Sequence, residues 1–116
     1  MKFPAGAVSF FKMVYKITAE QLKKKLDNKE PIIIVDVRTQ EELQFGKINQ
    51  AVHIPVPLIQ ENLNKLDKNK LIVLYCHSDQ RSSLCARYLE SNDFKTANLI
   101  PGILAWKKYQ PEIQEY

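Results

Sequence analysis

The sequence predicts an α/β fold: a parallel sheet with helices on both faces. Two apolar runs and their surroundings lead to it. Ile32-Ile33-Ile34-Val35 and Leu71-Ile72-Val73-Leu74-Tyr75 are continuous β-branched or aliphatic stretches. An unbroken apolar run is the pattern of a strand buried on both faces, as in a parallel sheet, rather than of a half-exposed strand. The segments between them have helical spacing, and alternation of strand and helix implies right-handed crossovers over the sheet. The chain of 116 residues is the length of one domain and can bury a core without disulfides or metals.

The elements follow in order. Residues 1–12 contain the apolar stretch Phe3 to Phe11 after Lys2. It is too short for a leader peptide and lacks a small-residue cleavage pattern. The domain is expected over residues 13–116, with 1–12 an extension ahead of it; the alternative is an arm whose Phe10 and Phe11 pack on its surface. Tyr15–Ile17 reads as a short strand. Thr18 with Gln21 forms a capping-box pattern that opens a helix, where Leu22 and Leu26 share a face. Lys23, Lys24 and Lys25 form its solvated side. Thr39 to Phe45 suggests a short helix closed near Gly46. Ala51–Ile54 reads as a strand, and Leu58, Ile59, Leu63 and Leu66 as an amphipathic helix. After the second long strand come a helix from Ser82 to about Ser91, a strand at Ala97–Leu99 and a last helix from Ile103 to about Tyr109.

Composition bounds the function. Seventeen Lys and Arg against 13 Asp and Glu leave a net charge of +4. That mild basicity suits small anions and gives no footprint for nucleic acid. No apolar run reaches the roughly 20 residues that cross a bilayer, so no membrane association is expected. Two cysteines cannot build a disulfide framework, which favours free thiols and a cytoplasmic setting. No His/Cys cluster has zinc-ligand spacing, and neither metal nor cofactor is expected.

The chemistry concentrates in Leu71 to Glu90. A buried strand runs into Cys76, a polar loop of His77, Ser78, Asp79, Gln80 and Arg81 follows, and a helix starts at about Ser82. Ligands of open α/β sheets bind beyond the carboxyl ends of the strands. There a helix N-terminus offers convergent N–H groups and positive dipole. Arg81 adds a cation able to bind an oxyanion through two N–H groups. A thiol in such surroundings ionises below its usual value of about 8.5. The competing reading of Cys76 is a small buried apolar residue at a strand end. Cys85, inside the helix, reads as a packed core thiol, with a resolving cysteine as the other reading.

These residues resemble the single-domain rhodaneses. Cys76, Ser78, Arg81 and Ser82 match the family pattern Cys-Arg-Ser-Gly-x-Arg-Ser; His77 stands where arginine is common and Asp79 where glycine is common. Ile33 to Arg38 is similar to its strand ending in Asp-Val-Arg. Glu41-Glu42 through Gly46-Lys47-Ile48 to Pro55 is similar to its Glu-(x)-Gly-His-Ile segment, and Leu99 to Trp106 to its Gly-Gly-(x)-(x)-(x)-Trp segment. The resemblance implies a parallel five-stranded sheet and sulfur transfer through a Cys76 persulfide, without cofactor. The donor would be a small anion such as thiosulfate; the acceptor would be cyanide, a cellular thiol or a sulfur-accepting protein. It implies a binding loop of residues 77–82, with Arg81 on the donor's oxygens, and a structural Asp36–Arg38 pair near the rim of the site. Trp106 is expected as a core anchor. Asp79 is expected to accept a left-handed backbone if the loop needs one. Its charge would oppose thiosulfate, leaving a less charged persulfide or polysulfide as donor. Two alternatives remain: a phosphatase or arsenate reductase on the same fold, whose loop is one residue longer, and a non-catalytic binding module.

Overall fold

A computed structural model describes residues 14–116; the expectations for residues 1–12 lie outside it. Five parallel strands form one sheet in the order β1-β5-β4-β2-β3. They are β1 (Lys16–Ile17), β2 (Ile32–Asp36), β3 (Val52–His53), β4 (Leu71–Tyr75) and β5 (Lys95–Leu99). Two α-helices, α1 (Ala19–Asp27) and α2 (Gln80–Glu90), cover opposite faces.

The two long strands sit side by side at the centre, with Asp36 opposite Tyr75 and Val35 opposite Leu74. Pleating sends alternate residues to the two faces. Ile34, Val73, Tyr75, Ala97 and Leu99 join one apolar cluster with Leu22 of α1, Ile103, Trp106 and Ile113. Val35, Ile72, Leu74 and Cys76 join the other with Cys85, Ala86 and Leu89 of α2 and with Ile59 and Leu66. Burial on both faces is the physical reason for the unbroken apolar runs. Trp106 is a core residue, only 3% exposed.

Helix α1 begins with the expected capping box. Thr18 Oγ1 accepts from the Gln21 amide at 3.1 Å, and Gln21 Oε1 accepts from the Thr18 amide at 2.9 Å. Lys23 pairs with Asp27 on its outer face.

Three expected helices are different. Glu41–Phe45, Ile103–Trp106 and the pair Val56–Leu58 and Gln60–Lys65 are 3₁₀ turns. Pro55 and Pro57 bracket the start of the Val56 segment, where ring geometry and the missing N–H groups oppose an α-helical ladder. The Glu41 turn closes at Gly46, whose φ of 102° and close approach to the Ile113 backbone suit only glycine. Strands β1 and β3 have two residues each, shorter than expected, because each pairs at the sheet margin with one neighbour. Helix α2 starts at Gln80, two residues earlier than the spacing suggests.

Among the described residues, no helix is long and apolar enough to cross a membrane.

Candidate active site

The site lies beyond the carboxyl end of β4, the middle strand. Cys76 is fully buried. Its Sγ lies 3.4 Å from the Ser82 amide nitrogen, 3.3 Å from Ser82 Oγ and 3.4 Å from the Ser78 carbonyl oxygen. Asp79 is the N-cap residue of α2, yet its carboxylate caps no amide. The third helical amide, at Ser82, is ordinarily satisfied by an N-cap side chain. Here the cysteine sulfur receives it. The uncapped first turn thus leaves the Ser82 amide and the positive dipole end facing the sulfur. On ionisation, the Ser82 hydroxyl, which also lies 3.4 Å from the Asp79 carbonyl, is free to donate to sulfur instead.

The loop rests on the chain's last third. The Ile103 amide donates to the Cys76 carbonyl at 3.0 Å. Gly102 has a φ of 147°, and a Cβ there would stand 2.7 Å from the Ser78 carbonyl oxygen and closer still to that of His77. Only glycine lets the backbone approach so closely.

Arg81 is partly exposed, and its guanidinium already carries a carboxylate. Nη1 and Nη2 donate to Glu42 Oε1 and Oε2 at 2.6 and 2.9 Å, a two-pronged ion pair. Glu42 also accepts from the Thr39 amide at 2.9 Å and from the Tyr116 hydroxyl at 2.9 Å. The Arg81 bonds hold the Glu42 carboxyl far below the ordinary carboxylate range, and Glu42 in turn raises Arg81.

Asp36 and Arg38 form the expected pair, but both are fully buried rather than at the rim. Arg38 Nη2 donates to Asp36 Oδ2 at 2.7 Å and to the Gly46 carbonyl at 2.6 Å. Arg38 Nη1 meets the Tyr116 hydroxyl at 3.0 Å, and the Tyr75 hydroxyl donates to Asp36 at 2.6 Å. Burial alone would lower the Arg38 pKa, but its bonds to Asp36 and Tyr116 raise it overall. Burial, together with the Asp36 charge, raises the Tyr75 hydroxyl pKa. This network links β2 and β4 to the residues around Arg81.

The remaining loop residues separate. His77 is half-buried, its ring centroid 4.2 Å from that of Tyr116 and its Nδ1 without a hydrogen-bond partner among the described residues. Ser78 and Gln80 are exposed. Asp79 has φ −135° and ψ 0°, so the loop does not need a left-handed backbone there. Asp79 lines a cavity of about 450 Å³ with Lys16, Arg87 and Asn98, and Cys76 is not among that cavity's walls. Sequence reasoning missed Glu42 as Arg81's partner and Tyr116 altogether. Glu42 lay within a quoted motif, but nothing local signalled its contact with a residue 39 positions away.

Cys85 is a packed thiol, 4% exposed. Burial, with a contribution from the Cys76 charge, pushes its pKa from 9.0 up to about 11. An unfolded thiol ionises near 9, so the folded state favours the protonated form. The resulting stabilisation is full below pH 9 and is lost as pH rises toward 11. Melting curves of the protein and of Cys85→Ala across that window are expected to show a shallower decline for the variant. Parallel declines would exclude a buried, protonated Cys85.

A parallel five-stranded sheet with a cysteine loop between its central strand and a helix N-terminus defines a class of α/β domain. Comparison with known proteins gives that class its name. The rhodanese-like domain pattern matches residues 18–109. The chain is 39% identical to YtwF of Bacillus subtilis over 94 residues, which is 81% of this chain and 91% of that protein. It is 33% identical to a thiosulfate sulfurtransferase, GlpE of Coxiella burnetii, over 102 residues, covering 87% and 92% of the two chains. The crystal structure of a rhodanese-like domain protein from Staphylococcus aureus superposes with a TM-score of 0.75 at 40% identity, covering 80% of this chain and 91% of that one. The chain therefore belongs to the rhodanese-like domain family, among relatives named as sulfurtransferases.

Proposed function

We propose that the protein moves a sulfane sulfur from a donor to a thiophilic acceptor through a persulfide on Cys76. The observation that carries this reading is the Cys76 sulfur in the cap position of α2, bonded to the Ser82 amide. In the first half-reaction the Cys76 thiolate attacks the outer sulfur of the donor. A sulfur–sulfur bond forms, the donor's own sulfur–sulfur bond breaks, and its remainder leaves with the bonding pair. For thiosulfate the leaving group is sulfite. In the second half-reaction an acceptor, cyanide or a thiol, takes the outer sulfur and releases the Cys76 thiolate. Splitting one transfer into two is nucleophilic catalysis. The Ser82 amide and hydroxyl, both against the Cys76 sulfur, stabilise negative charge that develops there. No resident cofactor enters this scheme. Asp36 and Arg38 act as structural braces, and residues 77–82 shape the loop.

Intact-mass measurement after thiosulfate tests the reading. One added sulfur atom, mapped to Cys76 and removed by cyanide, is the expected result; no sulfur on Cys76 from any sulfane donor would overturn it. Loop size bears on the phosphatase alternative. Arg81 follows Cys76 by five positions, one fewer than the phosphatase loop, and a phosphoryl group attacked by sulfur needs the larger cradle. Nitrophenyl phosphate is expected to turn over negligibly beside thiosulfate with cyanide. Faster phosphate ester hydrolysis would reverse the assignment.

A further inference from the structure

We infer that Glu42, held by Tyr116, is a specificity-determining residue: it occupies one fork of Arg81 and pairs its charge, which disfavours dianionic oxyanion donors and favours organic persulfides of low charge. The inference deepens the sulfur-transfer reading and rests on it.

The cations around the loop are already engaged. Arg38 directs Nε at Asp36, Nη1 at the Glu42 carbonyl and the Tyr116 hydroxyl, and Nη2 at Asp36 and the Gly46 carbonyl. A guanidinium has five N–H groups, so Arg38 offers none to a ligand. Arg81 commits its Nη1–Nη2 fork to Glu42, so a sulfonate-like group is left the Nε side of a guanidinium whose charge is already paired.

Glu42 is more than a loosely associated counter-ion. Its carboxylate accepts from Arg81 twice, from the Thr39 amide and hydroxyl at 2.9 and 3.2 Å, and from the Tyr116 hydroxyl at 2.9 Å. Tyr116 is itself fixed, its ring stacked on Phe45 at 4.4 Å and its oxygen accepting from Arg38. A carboxylate tethered in this way competes with a free oxyanion at high effective concentration. A thiosulfate dianion must therefore displace Glu42 or sit beside it, at a cost in either case.

An organic persulfide has no such requirement. The balanced step is R–S–SH plus Cys76–S⁻ giving Cys76–S–SH plus R–S⁻. One sulfur–sulfur bond forms as another breaks, the proton stays on the transferred sulfur, and no outside electron carrier is needed. The only charge to be stabilised is on sulfur, beside the Ser82 amide of α2. Phe45, Tyr116 and His77 form a contiguous aromatic cluster running from the Glu41 turn to the loop, against which the group R would rest. Asp79, whose charge is expected to oppose thiosulfate, lines a cavity with Lys16, Arg87 and Asn98; Glu42 is the carboxylate bonded to Arg81.

The test uses the full chain, with persulfide formation on Cys76 followed by rapid quench and intact mass. The donors are thiosulfate and N-acetylcysteamine persulfide, whose organic group is uncharged. The protein is expected to favour the alkyl persulfide by at least about tenfold in kcat/KM. Glu42→Gln is expected to lower KM for thiosulfate about tenfold while the alkyl persulfide changes less than about threefold. Tyr116→Phe keeps the ring stack, loses the hydroxyl and is expected to shift the thiosulfate KM the same way by a smaller factor. Should Glu42→Gln fail to fold, Tyr116→Phe decides. A thiosulfate KM that is unchanged or raised in the deciding variant overturns the inference and leaves Glu42 a brace. A protein that takes sulfur from neither donor overturns instead the sulfur-transfer reading beneath it.

Discussion

Cys76→Ser is expected to abolish persulfide formation and sulfur transfer while shifting the melting temperature by only a few degrees. The two side chains are nearly isosteric, and the site can satisfy a hydroxyl. A serine there would donate to the Ser78 carbonyl and accept from the Ser82 amide, the partners that Cys76 has now. A buried hydroxyl with both bonds made costs about 1 kcal/mol or less. The chemistry does not survive, because an alkoxide is far harder to form at neutral pH than a thiolate and does not exchange sulfur. Cys85 cannot substitute: it is buried in α2 with a pKa raised to about 11, so it stays protonated at pH 7. Undiminished transfer in a folded Cys76→Ser protein would refute the assignment of the nucleophile.

Arg38→Met is expected to destabilise the protein by about 3–5 kcal/mol, the usual result of removing one partner of a buried ion pair. Asp36 would keep its bonds from the Arg38 backbone amide and the Tyr75 hydroxyl. It would lose its counter-ion in a fully buried position. The Gly46 carbonyl and the Tyr116 hydroxyl would lose a donor as well. Denaturant unfolding measures the loss. Lys23→Ala, which breaks only the exposed pair with Asp27, provides the comparison and should cost below about 1 kcal/mol. Equal, small losses in the two variants would show that the Asp36–Arg38 network does not hold β2 and β4 together.

These two predictions also mark how far the sequence could be read. β2 and β4 were legible because burial on both faces writes an unbroken apolar run, and α1 because its capping box is local. The strand-end position of Cys76 followed from β4 alone. The 3₁₀ turns were not legible, since the apolar spacing of Leu58, Ile59, Leu63 and Leu66 fits either kind of helix over so short a stretch. Composition around the loop suggested a free cation, but whether Arg81 is free depends on Glu42, brought there by the β2–β4 pairing. The same holds for Tyr116, 78 positions from Arg38. Long-range polar pairing leaves no periodic trace.

The backing of the loop by Gly102 and Ile103 has a temporal consequence. A protein is synthesised from its amino end, and Cys76 emerges well before the segment that supports its carbonyl. β1, the first strand, can pair only with β5, the last. A nascent chain that has not reached Gly102 therefore carries the sulfur and its polar loop without the floor beneath them. The nucleophile is completed among the last features of the domain, so reactivity is coupled to synthesis of the segment around Gly102 and to closure of the whole sheet.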